Sequence, residues 1–362
     1  MKLSIIIPCF NEGKTVESVL DAVEAAQLPA LWSKEIILVD DGSSLETINA
    51  LRRIESRVSP PIMVYRSANG GKGAAVKEGL RRVTGDYVII QDADQEYDPH
   101  DYKALLEPII DGRADAALGS RILKKNNVPY NAAYFYGGLL VTKIFNVVFR
   151  TRLSDIATCY KVFHRSHIPA LLRSSNDDFV FDAVDLTLEI TRGHRVVEMP
   201  ISYVARTKAA GKKLNWIHGI EIVLAIMLAR LGIPVHLRAR ASKIVRFVVS
   251  GGTAALVHFS LLYVLTEFFS VWYLASSGVA FVIAFIVSFW MQKYWTFRSM
   301  DASKINKQLP QHLSVAVFNL FLNLALVYAF VEFFGIWYML AQVITTILIA
   351  IESYFAFRWI FR

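Results

Sequence analysis

Four apolar runs dictate what the last third of this chain can become. They lie near Ile244–Phe268, Tyr273–Trp295, Leu313–Phe334 and Trp337–Trp359. Each has about 20 residues or more, enough for a helix to cross roughly 30 Å of hydrocarbon. Inside a bilayer no water meets the backbone N–H and C=O groups, so runs this continuously apolar satisfy them internally as helices. Arg238, Arg240, Lys243 and Arg246 precede the first run. Lys293, Arg298, Lys304 and Lys307 stand between the second and third, and Arg358 and Arg362 close the last, whereas the turns around Ser270 and Gly335 hold no Lys or Arg. Cations are retained on the cytoplasmic side, which predicts both termini and the central loop there. His258, Asn319, Asn323 and Glu352 interrupt the runs, either as contacts between helices or as part of a translocation path.

The apolar excess, 54% hydrophobic against 19% charged residues, is concentrated downstream of Val245 and excludes an ordinary soluble protein. A length of 362 residues suits two domains. We place them at 1–232 and 240–362, the second an all-α domain of four transmembrane helices. The net charge of +8 fits anionic lipid head groups and phosphorylated substrates better than nucleic acid in such a chain. Cys9 and Cys159 have neither metal-ligand spacing nor a disulfide-rich pattern. MKLSIIIPCF is too short and strand-like for a signal peptide, so the first domain is expected in the cytoplasm.

The first domain alternates strands with helical patterns: Leu3–Pro8, Thr15–Gln27, Glu35–Asp40, a helix begun by Ser43 or Ser44, Pro61–Tyr65, Gly73–Val83 and Tyr87–Asp92. This order predicts an α/β domain with a mostly parallel sheet and a ligand cleft beyond the carboxyl ends of its strands. Polar residues stand at three of those ends: Asn11 and Glu12, Asp40 and Asp41, and Asp92, Asp94 and Glu96 within VIIQDADQEYDP. If the chain stays extended past Val88, the last three carboxylates share a face and converge on one hard cation. The same residues equally suit an acidic solvated loop, and Asp40–Asp41–Gly42 a turn and helix cap. SANGGKGAAVKEG, Ser67–Gly79, is neither a P-loop nor a full dinucleotide fingerprint. It reads as a loop opening a helix toward an anion, with Lys72 near a diphosphate, or as a flexible turn.

Two further apolar stretches, Ala132–Arg150 and Leu214 to about 232, carry interior polar residues such as Lys143, Asn146, His218 and Glu221. They read as helices lying on the membrane surface, with buried core helices as the alternative. Just before the second, Arg206, Lys208, Lys212 and Lys213 flank Gly211 in a cationic loop suited to phosphate at a lipid surface, or simply to lipid attraction.

Residues 1 to about 230 resemble family 2, GT-A-type (Rossmann-like) glycosyltransferases of the dolichyl-phosphate mannose synthase and polyprenyl-phosphate glucosyltransferase group. The matching stretches are IIIPCFNE (Ile5–Glu12), VDDGS (Val39–Ser43), GGKGAAV (Gly70–Val76), DADQE (Asp92–Glu96), GSR (Gly119–Arg121), Ser154–Asp155 and RTKAAGKK (Arg206–Lys213). Glu96 stands where the family often has Gln, and Cys9-Phe10 replaces a commoner Thr-Tyr or Ala-Tyr. Residues 240–362 resemble the GtrA-type membrane domain. The resemblance implies inverting transfer of mannose or glucose from GDP-mannose or UDP-glucose to a dolichyl- or undecaprenyl-type polyisoprenyl phosphate at the cytoplasmic membrane face. It implies Mg²⁺ or Mn²⁺ on Asp92, Asp94 and Glu96, and a nucleotide held by Pro8, Phe10, Asn11, Glu12, Asp40, Lys72 and Asp92. Arg121 would meet the acceptor phosphate, Arg206 and Lys212 would close over it, and Asp155 would orient sugar or acceptor. Two other readings remain open: a non-catalytic membrane scaffold or glycolipid translocation protein with a retired transferase domain, and a processive polysaccharide synthase, which the missing QxxRW motif disfavours. The membrane domain's part in anchoring, homo-oligomerisation or translocation is likewise open.

Overall fold

The computed structural model describes all residues except 126, 128–131, 207–215 and 300. The chain forms two compact units, Met1–Ala239 and Arg240–Arg362.

In the first unit β1 (Lys2–Cys9) leads through α1 (Val16–Ala25) to β2 (Ser33–Asp40), then through α2 (Leu45–Glu55) to β3 (Ile62–Tyr65) and through α3 (Lys72–Leu80) to β4 (Tyr87–Ile90). There follow α4 (Tyr102–Ile110), β5 (Ala116–Ser120), α5 (Ala132–Phe149), β6 (Lys161–His164) and a short α6 (Ile168–Leu171). A π-helical segment, Phe181–Leu186, runs into α7 (Thr187–Thr191), before β7 (Val196–Pro200) and α8 (Trp216–Arg230). The seven strands are ordered β3-β2-β1-β4-β6-β5-β7. Only β6 runs antiparallel to its neighbours, so the predicted mostly parallel sheet is what forms.

Patterning explains the elements. Leu3, Ile5, Ile6 and Ile7 of β1 have no solvent exposure, as expected of a central strand covered on both faces. Val16, Val19, Leu20 and Val23 repeat at helical spacing on α1, and Thr47, Ala50, Leu51 and Ile54 do so on α2. Those stripes turn to the core and leave the charged residues outside.

One polar residue stitches three strand edges. Glu35 on β2 accepts hydrogen bonds from Ser4 Oγ at 2.5 Å, Thr84 N at 2.7 Å and Gly85 N at 3.0 Å, and pairs with Lys2 at 2.5 Å. Burial alone would push its carboxyl up, but the donors outweigh it and hold it down at about 2, below an ordinary value of 4.5. A depressed folded-state pKa gives stability that is complete above about 4.5 and disappears as pH falls toward about 2. Glu35→Gln should therefore lower Tm at pH 7 and flatten Tm against pH across that window. Wild-type and variant curves that run parallel would contradict this role.

The second unit contains α9 (Arg238–Tyr263), extended by a π-helical turn to Phe268, then α10 (Tyr273–Trp290) with a similar turn at Met291–Thr296, α11 (Ile305–Glu332) and α12 (Tyr338–Ile360). Phe247, Phe289, Phe357, Ile360 and Phe361 form its buried cluster. Among the described residues, five helical stretches are long and apolar enough to cross a membrane: Arg238–Phe268, Ala275–Thr296, Ala302–Glu332, Val343–Ile360 and α5 itself. Four correspond to the predicted spans. The fifth, α5, was expected to lie on the membrane surface; it buries Val141 and Phe145 against Ile222, Ala225 and Ile226 of α8. The described part of α8, 15 residues, reaches about 22 Å.

Candidate active site

The carboxyl ends of β1, β2 and β4 open on one cavity of about 1080 Å³. Its polar wall includes Glu12, Lys72, Asp92, Asp94, Arg121 and Arg206, and its other wall comes from α5 and α8, with Phe135, Leu139, Leu140, Ile220 and Val223. Of the residues predicted to hold nucleotide, Pro8, Phe10, Glu12, Lys72 and Asp92 line this cavity. Asn11 and Asp40 are engaged elsewhere. Asn11, in the left-handed region at φ 54°, accepts from Ser44 N at 2.8 Å, and Asp40 accepts from the amides of Gly42 and Ser43 at 3.2 and 3.3 Å. Both therefore shape the turn that leads into α2, the turn alternative the sequence had left open for Asp40, while no side chain caps the helix itself.

The acidic motif departs from the extended geometry in a way that matters. β4 stops at Ile90, and Gln95 takes a left-handed φ of 61°, so the chain reverses between Asp94 and Glu96. Glu96 is turned into a different set of bonds: its carboxylate accepts from Tyr203 Oη at 2.6 Å and from Arg206 N at 2.7 Å. Among the described residues no three His, Cys, Asp or Glu side chains are grouped to hold a metal. The predicted three-carboxylate cluster is thus not formed, and Glu96 serves to tether the 203–206 segment. Asp94 remains under strain of charge. Burial, then repulsion from Asp92 and Glu96, raises its carboxyl to about 7 despite Arg206. Oxygen donors in such a field suit a hard divalent cation, which binds through one or two carboxylates and takes its remaining ligands from substrate phosphates and water. Asp94 and Asp92 fit that requirement.

Arg206 also sits differently from the expected acceptor clamp. Its guanidinium forms a bidentate pair with Glu12 at 2.9 and 3.1 Å and reaches Asp94 Oδ2 at 2.9 Å. It neutralises the acids instead of standing over an acceptor. Its expected companion Lys212, with Lys208 and Lys213, lies outside the described residues.

Lys72 is likewise committed. Its ammonium lies 2.8 Å from Asp92 and 2.9 Å from Asp182, while Lys161, with no exposed surface, bonds Asp182 at 2.8 Å and Thr158 O at 2.5 Å. Burial opposes these charges, yet Asp182 and Asp92 hold the Lys72 ammonium well above its usual range, and Lys161 and Lys72 hold Asp182 below its own. The result is a row of alternating charge, Lys161, Asp182, Lys72, Asp92, running from the core to the cavity. The glycine loop before α3 is pinned too. Asp41 accepts from the amides of Gly70 at 3.1 Å and Gly71 at 2.8 Å and pairs with Arg66. Gly71 has φ +97°, and a Cβ there would lie 2.5 Å from the carbonyl oxygen of Asp177. Those amides serve Asp41, so the loop is neither the flexible turn nor the open anion cradle considered from sequence.

Arg121 and Asp155 come together across a separation of 34 positions, which the sequence could not foretell. Nε and Nη2 of Arg121 donate to the carboxylate at 2.7 and 2.8 Å, and the backbone N of Arg121 adds a third bond at 3.2 Å. Burial works against both charges, and their mutual attraction overrides it, raising Arg121 and lowering Asp155. Glu198 on β7 fixes the partner, accepting from Ser154 N at 2.7 Å and Asp155 N at 3.1 Å. Tyr203 lies under the guanidinium, 5.0 Å from ring centre to Cζ. Held in this way, Arg121 lines the cavity.

Lys161, Asp182, Glu198 and Tyr203 were missed by sequence reasoning. Asp182 and Asp185 are acids inside the apolar run FVFDAVDLTLEI, and Glu198 is the one charge in VVEMP. Charges in otherwise buried elements are the signal that could have found them, because such groups are retained only when paired.

Comparison with known proteins accords with this geometry. Residues 4–178 match glycosyl transferase family 2, and residues 246–361 match the GtrA/DPMS transmembrane domain. The chain is 25% identical over 361 residues to a dolichol-phosphate mannosyltransferase of Pyrococcus furiosus, covering 96% of each protein. It is 31% identical over 173 residues to an undecaprenyl-phosphate 4-deoxy-4-formamido-L-arabinose transferase of Pseudomonas fluorescens, covering 47% of this chain and 49% of that one. A solved glucosyl-3-phosphoglycerate synthase of Mycobacterium tuberculosis, in complex with Mn²⁺, UDP and phosphoglyceric acid, matches at a TM-score of 0.47 and 18% identity, over 64% of this chain and 79% of that one. The chain is a glycosyltransferase: residues 4–178 form a glycosyl transferase family 2 domain, and residues 246–361 form a GtrA/DPMS transmembrane domain that follows it in the sequence.

Proposed function

We propose that the protein transfers a hexose, mannose or glucose, from a nucleotide diphosphate sugar to the phosphate of a polyisoprenyl lipid, with inversion at the anomeric carbon and on the cytoplasmic face. The observation that carries this is the two-sided cavity, acidic and cationic along the sheet edge and apolar along α5 and α8. One substrate with a diphosphate and another with a phosphate on a hydrocarbon chain match those two walls. The names of the relatives, which act on dolichol- and undecaprenyl-phosphate, support the acceptor class. The distribution of Lys and Arg around the spans supports the cytoplasmic orientation.

In this reading Pro8, Phe10 and Glu12 flank the nucleotide, and Asp94 with Asp92 holds a divalent metal. When bound, that metal supplies charge neutralisation on the departing diphosphate. The acceptor phosphate is already ionised at neutral pH and needs aim more than a base. Arg121, locked by Asp155 and Tyr203, meets one of its oxygens, while the apolar helices receive the first isoprene units. Arg206 keeps Glu12 and Asp94 together in one charge-balanced wall.

The test is a transfer assay with the full chain in lipid nanodiscs containing polyprenyl phosphate. Labelled GDP-mannose and UDP-glucose are supplied separately with Mg²⁺ or Mn²⁺, and chloroform-soluble label is counted. One donor should give a mild-acid-labile glycolipid only when the lipid phosphate is present. No transfer from any nucleotide sugar would favour the scaffold reading.

A further inference from the structure

The second unit contains a cavity of its own, about 460 Å³, that the transfer reaction does not use. Lys243, Arg298, Lys304, Arg358 and Arg362 line it, together with Phe297 and Phe361. These cations arrive from separate elements: Lys243 from α9, Arg298 from the segment after the Met291–Thr296 turn, Lys304 from the approach to α11, and Arg358 and Arg362 from the end of α12. Retention of positive charge on one membrane face calls for cations at these helix ends, but not for their convergence. Like charges around one opening repel, and Lys243 lies within the fields of Arg246, Arg298 and Arg358. Asp301 is the one acid among the described lining residues, and its carboxylate accepts from Ser303 N at 2.9 Å and Ser303 Oγ at 2.6 Å.

The wall is held rigidly. Lys293, fully buried, bonds Asp301 O at 2.8 Å and Gln308 Oε1 at 2.5 Å; Gln308 Nε2 in turn donates to Ile360 O at 3.0 Å and to Ser299 Oγ at 3.3 Å. One buried pair therefore ties Ser299 and Asp301 to both α11 and the end of α12. Phe297 stacks on Phe361 with ring centres 5.7 Å apart, and Lys243 Nζ lies 5.8 Å from the Phe297 ring. Cations repelling one another at the surface would splay if their backbones were free; these are fixed facing one opening.

We propose that this cavity is a binding site for a phosphate group, and that its chemistry takes a phosphomonoester or phosphoanhydride of charge near −2, borne by a membrane lipid or free. Guanidinium and ammonium donors from several directions suit an oxyanion with three or more acceptor oxygens, and basic pockets between membrane helices on the cytoplasmic side are suited to lipid head groups. The site is independent of the proposed transfer reaction, since none of its residues belongs to the catalytic unit.

The test measures lipid retention by native mass spectrometry and by binding of fluorescent phosphatidate to the full chain in detergent, with phosphatidylcholine as the neutral comparison. Lys243→Gln combined with Arg358→Gln should weaken phosphatidate binding at least tenfold for about each cation removed, whereas Lys243→Arg with Arg358→Lys should retain it. Lys307→Gln, an exposed cation outside the cavity wall, should change it less than about twofold. Transfer activity of the Gln variant reports that the catalytic unit remains folded. Displacement of phosphatidate by millimolar inorganic phosphate would identify the free ion as sufficient; retention against it would assign the site to lipid-borne phosphate. Equal binding of phosphatidylcholine, or equal loss on Lys307→Gln, would overturn the proposal.

Discussion

Asp94→Ala is expected to reduce hexose transfer at least about a thousandfold, equivalent to ~4 kcal/mol of transition-state stabilisation, with the fold unchanged. Asp94 is the carboxylate whose charge is least welcome in the free site, pushed up to about 7 by burial and by Asp92 and Glu96. A divalent ion relieves that repulsion, and in Asp94→Ala the departing diphosphate would lose its principal counter-charge. Asp92 cannot fully replace it, because Oδ1 is held by Lys72 at 2.8 Å. The fold should survive because Arg206 keeps its bidentate pair with Glu12. Initial rates at saturating donor across a Mn²⁺ titration, alongside Tm, separate the two effects. Turnover within about tenfold of wild type would remove the metal from Asp94.

The second large effect is on stability. Asp182→Asn should destabilise the catalytic unit by about 3–5 kcal/mol, because it strips the shared counter-ion from two buried ammonium groups. Lys161 has no exposed surface, and without the carboxylate it keeps only the carbonyl of Thr158. For a unit of this size that corresponds to a Tm lower by roughly 6–20 °C. Asp115→Asn, which breaks an exposed pair with Arg195, should leave Tm nearly unchanged. Similar Tm values for the two variants would show that the charge row contributes nothing beyond surface ion pairs.

The layers of the fold were legible because their signals are periodic. Isoleucine runs marked the central strands, helical spacing marked α1 and α2, and uninterrupted apolar length marked the spans. The site was legible in its membership more than in its pairings. Asp92, Asp94, Arg121, Asp155 and Arg206 do line the cavity. That Arg121 would lock onto Asp155, or that Arg206 would lie among Glu12 and Asp94 rather than over an acceptor, depends on contacts between residues 34 to 194 positions apart. No local pattern encodes such distances. The failed expectation for Glu96 has a local cause: one left-handed residue, Gln95, breaks the alternation on which three convergent carboxylates relied. Buried charges supplied the remaining surprises, since Asp182 and Glu198 acquire meaning only once their lysines and amides are in place.

The apolar helices beside the charged wall bear on which lipids the enzyme can tell apart. On the proposed function, a space of about 1080 Å³ would be filled by a sugar nucleotide, a phosphate and the nearest few carbons of a tail. Everything farther along the hydrocarbon hangs outside, unread. Discrimination among acceptors should then rest on saturation and branching next to the phosphate, while chains differing by many isoprene units are served alike.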